Sequence, residues 1–340
     1  MKRCLPASGA AMGILTAFSL LTGCGNHNMS ALDPQGPVGK SELNLIYLST
    51  GIMTFVVVVV TVIYIYVVWR YRERPGDEEK GIPEQVAGSK KLEVLWTVIP
   101  IMLLIVLAVP TIATTFSLKE KPDPADSLRI NVTGYQYWWG FEYPEQKVTT
   151  ANEVHIPTGK KVDLIMTAHD VIHAFWVPSL GGKQDLSPGK TDRLVLQADK
   201  PGIYEGKCAE LCGASHSLMN FRVIAHEPKD FDQWISSQQN PKSRPTVGRA
   251  EEGRRWVEQN CIGCHAVRGA GYRVLGRTGP ELTAFGERTR IAGVLDNNRD
   301  NLKAWLKNPQ DIKPGNRMPA FDHLSEKDLD AIVNYLQELK

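Results

Sequence analysis

Two long runs of this chain carry no charged residue, Leu43 to Trp69 and Val94 to Leu118. A bilayer core of about 30 Å needs about 20 helical residues to cross it. Inside lipid, a helix satisfies every backbone polar group within one segment. Both runs are long enough, so the sequence predicts transmembrane helices over 43–69 and 94–118. Pro100 and Pro110 fall inside the second run and are expected to kink it. Trp69, Tyr71 and Trp96 stand near the ends, where aromatic residues anchor a span at the interface. The connecting loop over 70–93 holds Arg70, Arg72, Arg74, Lys80, Lys90 and Lys91 close to the helix ends. The positive-inside rule puts that loop in the cytoplasm, and everything after residue 118 outside.

The first residues agree with that orientation. Lys2 and Arg3 precede a mostly apolar stretch over 10–22, the pattern of an export signal. It ends in Leu21-Thr22-Gly23-Cys24. This ending resembles the lipobox of bacterial lipoproteins, which implies a signal peptide over 1–23, a lipid on Cys24 and an exported segment over 24–42. Ordinary cleavage near a free Cys24 is the alternative, and Cys4 leaves with the signal in either case.

The exported part divides where its periodicity changes. Lys119 to Ser127 is a polar, proline-containing linker. Segments 129–133, 161–167 and 192–197 alternate polar and apolar residues, as half-buried strands do. Glycine and proline punctuate them at 157–159, 188–189 and 201–202. Short strands at this spacing predict an all-β sandwich or small barrel over 125–227. A short helix ending near Ser237 and a linker fill 228–247. From Arg249 onward the chain reads as helical, and Glu326 to Leu339 is an amphipathic helix with Ser325 as its N-cap. The net charge of +2, with no Lys/Arg-rich stripe, argues against nucleic acid as a partner.

Two motifs carry chemistry. The first is Cys208-Ala-Glu-Leu-Cys212-Gly-Ala-Ser-His216-Ser-Leu-Met219. It gathers thiolate, imidazole and thioether in one loop between strand-like segments 203–208 and 220–225, a soft donor set that suits copper. Gly206 and Gly213 argue against a helix there. A second histidine must come from elsewhere, and His173 in Asp170-Val-Ile-His173 is the candidate. One thiolate, two imidazoles and a weak methionine describe a blue-copper site; two thiolates can instead bridge a pair of copper ions. A zinc site of two Cys and two His uses the same residue types and stays open on ligand type alone. The second motif, Cys261-Ile-Gly-Cys264-His265, is the attachment pattern of a c-type haem. A redox dithiol or a zinc half-site is its alternative. Met318 in Asn316-Arg-Met318-Pro319 is the natural sixth ligand, and His/Met ligation raises haem potential.

At these residues the chain closely resembles subunit II of haem–copper cytochrome c oxidases. The resemblance covers about residues 40–230. It includes Lys91-Leu-Glu93-Val-Leu-Trp96-Thr-Val-Ile-Pro100, the aromatic run from Gly134 to Tyr143, the stretch from Asp170 to Gly189, and the loop from Cys208 to Met219. Residues 248–340 resemble a small class I cytochrome c, a fusion that resembles the caa-type oxidases. The implied fold is multidomain: a two-helix transmembrane hairpin, an all-β cupredoxin-like sandwich and an all-α cytochrome c domain.

The resemblance implies a binuclear CuA centre held by His173, Cys208, Cys212, His216, Met219 and the carbonyl of Glu210. It implies a magnesium ion shared with subunit I through the Glu210 side chain, and haem c on Cys261, Cys264, His265 and Met318. Glu93 matches the mouth of a proton-uptake path; by residue type alone it is an interfacial carboxylate. Tyr137 stands where the family has its usual electron-accepting tryptophan, so Tyr137 and Trp138 are the candidates for receiving electrons. Quinol-oxidising relatives have lost the copper ligands that this chain keeps. The implied function is electron transfer from a donor, such as a cytochrome c or a bc-type complex, through haem c and CuA to subunit I. Oxygen is reduced to water there with proton pumping, so no catalytic residue is expected on this chain. Subunit III is a further implied partner. The implied location is the bacterial cell membrane, multi-pass, with the redox domains on its outer face. The alternatives are the CuA-bearing subunit of a nitric oxide reductase and a membrane-bound copper or haem carrier. His155, His226 and His323 read as surface or core, and His169 as a neighbour on the approach to His173.

Overall fold

A computed structural model of the chain describes residues 27–73, 87–241, 249–272, 276 and 278–340. The signal segment, Cys24 and residues 74–86 of the basic loop lie outside the described residues. Helix α1 spans Pro37–Tyr71 and α2 spans Lys90–Leu118. Each contains an apolar window of mean hydropathy 2.6, long enough to cross a membrane, and the two pack against each other. Pro100 and Pro110 are carried inside α2 without ending it.

Both helices begin earlier than the charge-free runs expected from sequence. For α1 the reason is the sandwich beneath it. Gly36 is an extended N-cap and Pro37 sits in the first turn, where its missing N–H costs no helical hydrogen bond. The Gln35 amide donates to the Ser179 carbonyl at 2.6 Å and the Gly39 amide to the Leu180 carbonyl at 3.2 Å. The Lys40 ammonium meets Asp199 at 2.5 Å. A Cβ at Gly36 would stand 2.0 Å from the Gln197 carbonyl oxygen, so only glycine allows this approach. The first turns of α1 therefore carry charge, because they lie against protein rather than lipid.

The linker after α2 leads into ten strands: β1 Ser127–Tyr135, β2 Trp138–Tyr143, β3 Val148–Ala151, β4 Glu153–Pro157, β5 Lys161–Ala168, β6 His173–Val177, β7 Gly181–Leu186, β8 Asp192–Leu196, β9 Gly202–Cys208 and β10 Asn220–His226. They form two five-stranded sheets, ordered β3-β2-β1-β5-β8 and β4-β10-β9-β6-β7. Along β1, Leu128, Ile130 and Val132 are buried while Arg129 faces water, the period of two that a half-buried strand imposes. Between the sheets lie Trp139, Phe141, Phe175 and Phe221. Phe175 stacks on Phe221 at 4.3 Å, and Trp139 meets Phe175 edge-on at 5.5 Å. Each such pair contributes about 0.5–1.5 kcal/mol beyond its buried area. Helix α3, Pro228–Gln239, adds Phe231 and Ile235 to this core. Its Trp234 stacks on His155 at 3.9 Å, and His155 in turn pairs with His226 at 2.7 Å.

The C-terminal domain holds α4 Arg249–Asn260, α5 Arg299–Lys307, α6 Pro309–Ile312 and α7 Glu326–Glu338. It is not helical throughout. A small ladder pairs Arg290 with Asp296 and Ile291 with Leu295, because Ala292 and Gly293 take positive φ and turn the chain back. Ser325 caps α7 by accepting a hydrogen bond from the Asp328 amide. Helices α4 and α7 cross at Gly253, where a Cβ would stand 2.0 Å from the Ala331 carbonyl oxygen. That neighbour is backbone and cannot swing away. Replacement Gly253→Val is expected to force the helices apart and cost about 3 kcal/mol, read as a lowered midpoint when denaturation of this domain is followed at its prosthetic-group absorption. An unchanged midpoint would show that the crossing tolerates a side chain.

Candidate functional site

The first motif lies in the loop between β9 and β10. Strand β9 ends at Cys208, a single 3-10 turn covers His216–Leu218, and β10 starts at Asn220. The Cys208 amide donates to the Met219 carbonyl at 3.1 Å and closes the base of the loop. Three further bonds fix its course. The Ala209 amide donates to the Ala174 carbonyl at 3.0 Å, the Gln136 side-chain amide to the Cys212 carbonyl at 2.6 Å, and the Ala214 amide to the Tyr137 hydroxyl at 3.0 Å. Register brings the distant histidine in. Strand β6 pairs antiparallel with β9, with Phe175 opposite Cys208, so His173 at the start of β6 reaches the same end of the sheet.

The donors divide between two sulfurs. Cys208 Sγ lies 3.9 Å from His173 Nδ1 and 3.3 Å from the Glu210 carbonyl oxygen. Cys212 Sγ lies 3.7 Å from His216 Nδ1 and 3.8 Å from Met219 Sδ. The sulfurs themselves are 3.9 Å apart. That makes six donors, whereas a closed tetrahedral zinc site takes four. Two ions sharing both sulfurs would each have four, and four plus four less two shared is six. The donor set therefore fits a bridged pair better than one ion. His173, Cys208, Cys212 and Met219 are buried, while His216 and Glu210 are half-buried.

Charge within the site follows from those contacts. The Cys212 thiol is the chief influence holding the Cys208 thiol far below its ordinary pKa, and the resulting thiolate pushes Cys212 up. The two cannot both ionise easily on their own, so a cation between them supplies the charge that both thiolates need. Burial works against a charged His173, but Cys208 and Asp170 outweigh it and raise its pKa. Asp170 Oδ1 lies 2.9 Å from His173 Nε2. A carboxylate there fixes the tautomer with Nε2–H donating and Nδ1 free toward Cys208. Burial would raise Asp170, yet hydrogen bonds from the Gln136 amide, His173 and the Val171 amide hold it low. Trp139 lies edge-on to His173 at 6.0 Å.

The second motif opens onto a cavity of about 370 Å³ lined by Cys261, Cys264, His265, Met318 and mostly apolar side chains such as Leu282, Phe285, Trp305 and Phe321. His265 Nδ1 lies 2.7 Å from the Pro280 carbonyl oxygen. That bond keeps a proton on Nδ1 and leaves Nε2 as the ligating atom. Gly279 lies flat on the imidazole, where a Cβ would stand 2.7 Å from Cε1. Burial, reinforced by the neighbouring Cys264, pushes the Cys261 thiol up to about 12, so the unattached side chain sits as a neutral thiol. The Met318 amide donates to Asn316 Oδ1 at 2.8 Å, which orders the segment bearing the methionine. An apolar cradle, an oriented imidazole and a nearby thioether fit a covalently attached haem.

The two sites share a wall. Tyr135, Gln136, Tyr137, Trp138 and Asp170 of the sandwich also line the cavity. Tyr137 is buried there with its hydroxyl on the first loop, and Trp138 stacks flat on Tyr135 at 4.1 Å. Glu93 lies in the first turn of α2 with an exposed side chain. The Glu210 side chain is half-buried. Sequence reasoning assigned no role to Asp170, Gln136, Ser215 or Pro280. The three-residue spacing to His173 was the only signal for Asp170, and the others are brought in by folding alone.

The family model described as "Cytochrome C oxidase subunit II, transmembrane domain" matches residues 41–114, that for the periplasmic domain matches 145–226, and "Cytochrome c" matches 250–340. Cytochrome c oxidase subunit 2 of Alkalihalophilus pseudofirmus is 48% identical over 97% of this chain and 96% of its own length. That of Bacillus sp. PS3 is 45% identical over 94% of each chain. Quinol oxidase subunit 2 of Bacillus subtilis is 36% identical over 71% of this chain and 75% of its own.

Replacement Asp170→Asn keeps the size of the side chain but removes the anion that orients His173. It is expected to weaken copper binding about 10–100-fold, measured by competition with a chelator. Unchanged affinity would show that Asp170 does not orient a ligand.

Proposed function

This chain belongs to the cytochrome c oxidase subunit II family, and from that premise we propose which of its residues hold its redox groups. It is the electron-transfer subunit of a haem–copper oxidase, with a CuA domain and a cytochrome c domain on two membrane-spanning helices. Electrons pass from haem c to CuA and on to subunit I, where oxygen is reduced to water with proton pumping. When bound, each group takes up and returns one electron.

The copper ligands are His173, Cys208, Cys212, His216, Met219 and the Glu210 carbonyl. The observation that carries this reading is the sharing of six donors between two buried sulfurs. Haem c is held by Cys261, Cys264, His265 and Met318, a set supported by the common cavity and by the hydrogen bond from His265 to Pro280. Asp170 and Pro280 keep a proton on the non-ligating nitrogen of each histidine. Burial keeps water away from His173, both cysteines and Met219, which limits the solvent that must reorganise when charge moves. The Glu210 carboxylate binds a magnesium ion shared with subunit I; its support is that its own carbonyl lies against Cys208. Tyr137 and Trp138 form the side of the sandwich on which electrons arrive, and Glu93 marks proton uptake at the cytoplasmic end of α2.

The setting follows. The chain lies in the bacterial cell membrane with both redox domains on its outer face and Cys24 as a lipid anchor. Exposed apolar side chains on α1 and α2 face lipid, subunit I and subunit III. A cytochrome c or a bc-type complex supplies electrons to the cytochrome domain.

Two replacements separate these roles. Cys208→Ser is expected to abolish both the delocalised copper-pair signal in spin resonance and oxygen consumption, while haem stays attached and reducible. Persistence of the pair signal would remove Cys208 from the ligand set. Glu93→Gln in the assembled oxidase is expected to slow proton-coupled turnover and leave copper reduction intact; normal turnover would return Glu93 to a merely interfacial role.

A further inference from the structure

Several contacts bind the cytochrome domain to the sandwich, Arg268 on the Lys147 carbonyl and the Thr149 hydroxyl among them, and two others bear on electron transfer. One joins β4 and β10 to Thr289 and Arg290. Glu153, buried at the start of β4, accepts hydrogen bonds from the Thr289 amide at 2.8 Å, the Thr289 hydroxyl at 2.5 Å and the Arg290 amide at 3.0 Å. Arg222, paired with Glu205 at 2.9 Å, also donates to the Thr289 hydroxyl, at 2.8 Å. A buried carboxylate satisfied in this way holds the domain in one orientation, because separating the domains would leave its donors unpaired.

The other contact joins the two ligand-bearing loops. The Ser215 hydroxyl donates to the Pro314 carbonyl at 2.6 Å, and Ser215 is fully buried. Ser215 directly precedes His216, and Pro314 lies four residues before Met318. The approach depends on Gly315, which takes φ +78°; a Cβ there would stand 3.3 Å from Ala214 Cβ and 3.4 Å from the Tyr137 hydroxyl. One short hydrogen bond therefore links the segment next to a copper ligand with the segment next to a haem ligand.

We infer that the Ser215–Pro314 hydrogen bond is the bridge by which an electron crosses from the cytochrome domain to the copper domain. Ser215 is a positioning residue in that transfer, and the inference rests on the ligand reading of His216 and Met318. Electronic coupling decays faster across a van der Waals gap than along bonds, and a short hydrogen bond replaces such a gap. The haem iron is oxidised by one electron and the copper pair is reduced by one. No bond is broken, and the hydroxyl proton stays on Ser215. Tyr137 offers a competing route, since its hydroxyl lies at the same junction.

The test uses the assembled oxidase with both centres loaded. Electron transfer from haem c to copper is followed by transient absorption after a light pulse. The separation of the oxidised centres is read by dipolar spin resonance, and amide exchange at Gly315 is read in the resting protein. Ser215→Ala is expected to slow the transfer several-fold and speed exchange at Gly315, with the spectra, potentials and separation of both centres unchanged. Gly315→Ala lengthens the same contact from the cytochrome side and is expected to do likewise. It carries the test should Ser215→Ala fail to load copper. Glu153→Gln, at the Thr289 contact, is expected to broaden the distribution of separations. A normal rate in both loop variants overturns the inference. So does a slowed rate accompanied by a longer separation, which would make Ser215 a docking residue only. Altered spectra in Ser215→Ala together with normal spectra in Gly315→Ala would point instead to the ligand reading around His216.

Discussion

The hydrogen bond from the Cys208 amide to the Met219 carbonyl is the closure on which the proposed copper site depends. It ties the end of β9 to the start of β10, so everything between must bulge out as a compact loop. Both thiols, an imidazole and a thioether are thereby held at one end of a sheet. The β6–β9 ladder then brings His173 to the same end. The donors are preorganised by backbone hydrogen bonds, not by the metal alone. Such a site keeps nearly the same geometry when its charge changes, which suits electron transfer.

A second constraint is the common wall between the two redox sites. The aromatic segment from Tyr135 to Trp138 faces the copper loop on one side and the haem cavity on the other. Glu153 and Arg222 fix the cytochrome domain against this surface through Thr289. Docking through satisfied buried polar groups gives orientation more than affinity. A tethered cytochrome that could tumble would need to find its partner surface for every electron; one held in this way does not.

Much of the fold was legible in the sequence, for identifiable reasons. Lipid admits few structures, so two charge-free runs sufficed for the spans, and the alternation of 129–133 was enough to read β1. Cys261-Ile-Gly-Cys264-His265 is informative because thioether attachment and axial ligation need those residues at that spacing. The start of α1 was less legible, because Lys40 and Glu42 are helical against protein rather than lipid. The hairpin at 290–296 was missed because a two-residue ladder leaves no periodicity. Asp170 was quoted only as a neighbour of His173, and its hydrogen bond to that ring depends on the turn between them.

The sequence by itself determined which chemistry the chain can support, because ligand type, motif spacing and hydrophobic length are local and covalent. It also determined the orientation expected across the membrane, through the placement of lysine and arginine. Only the tertiary structure decided that six donors divide between two sulfurs, that Asp170 and Pro280 set the histidine tautomers, and that Ser215 meets Pro314. Those facts depend on strand register and on domain docking. Both are set by contacts between residues far apart in the chain, which no local pattern encodes.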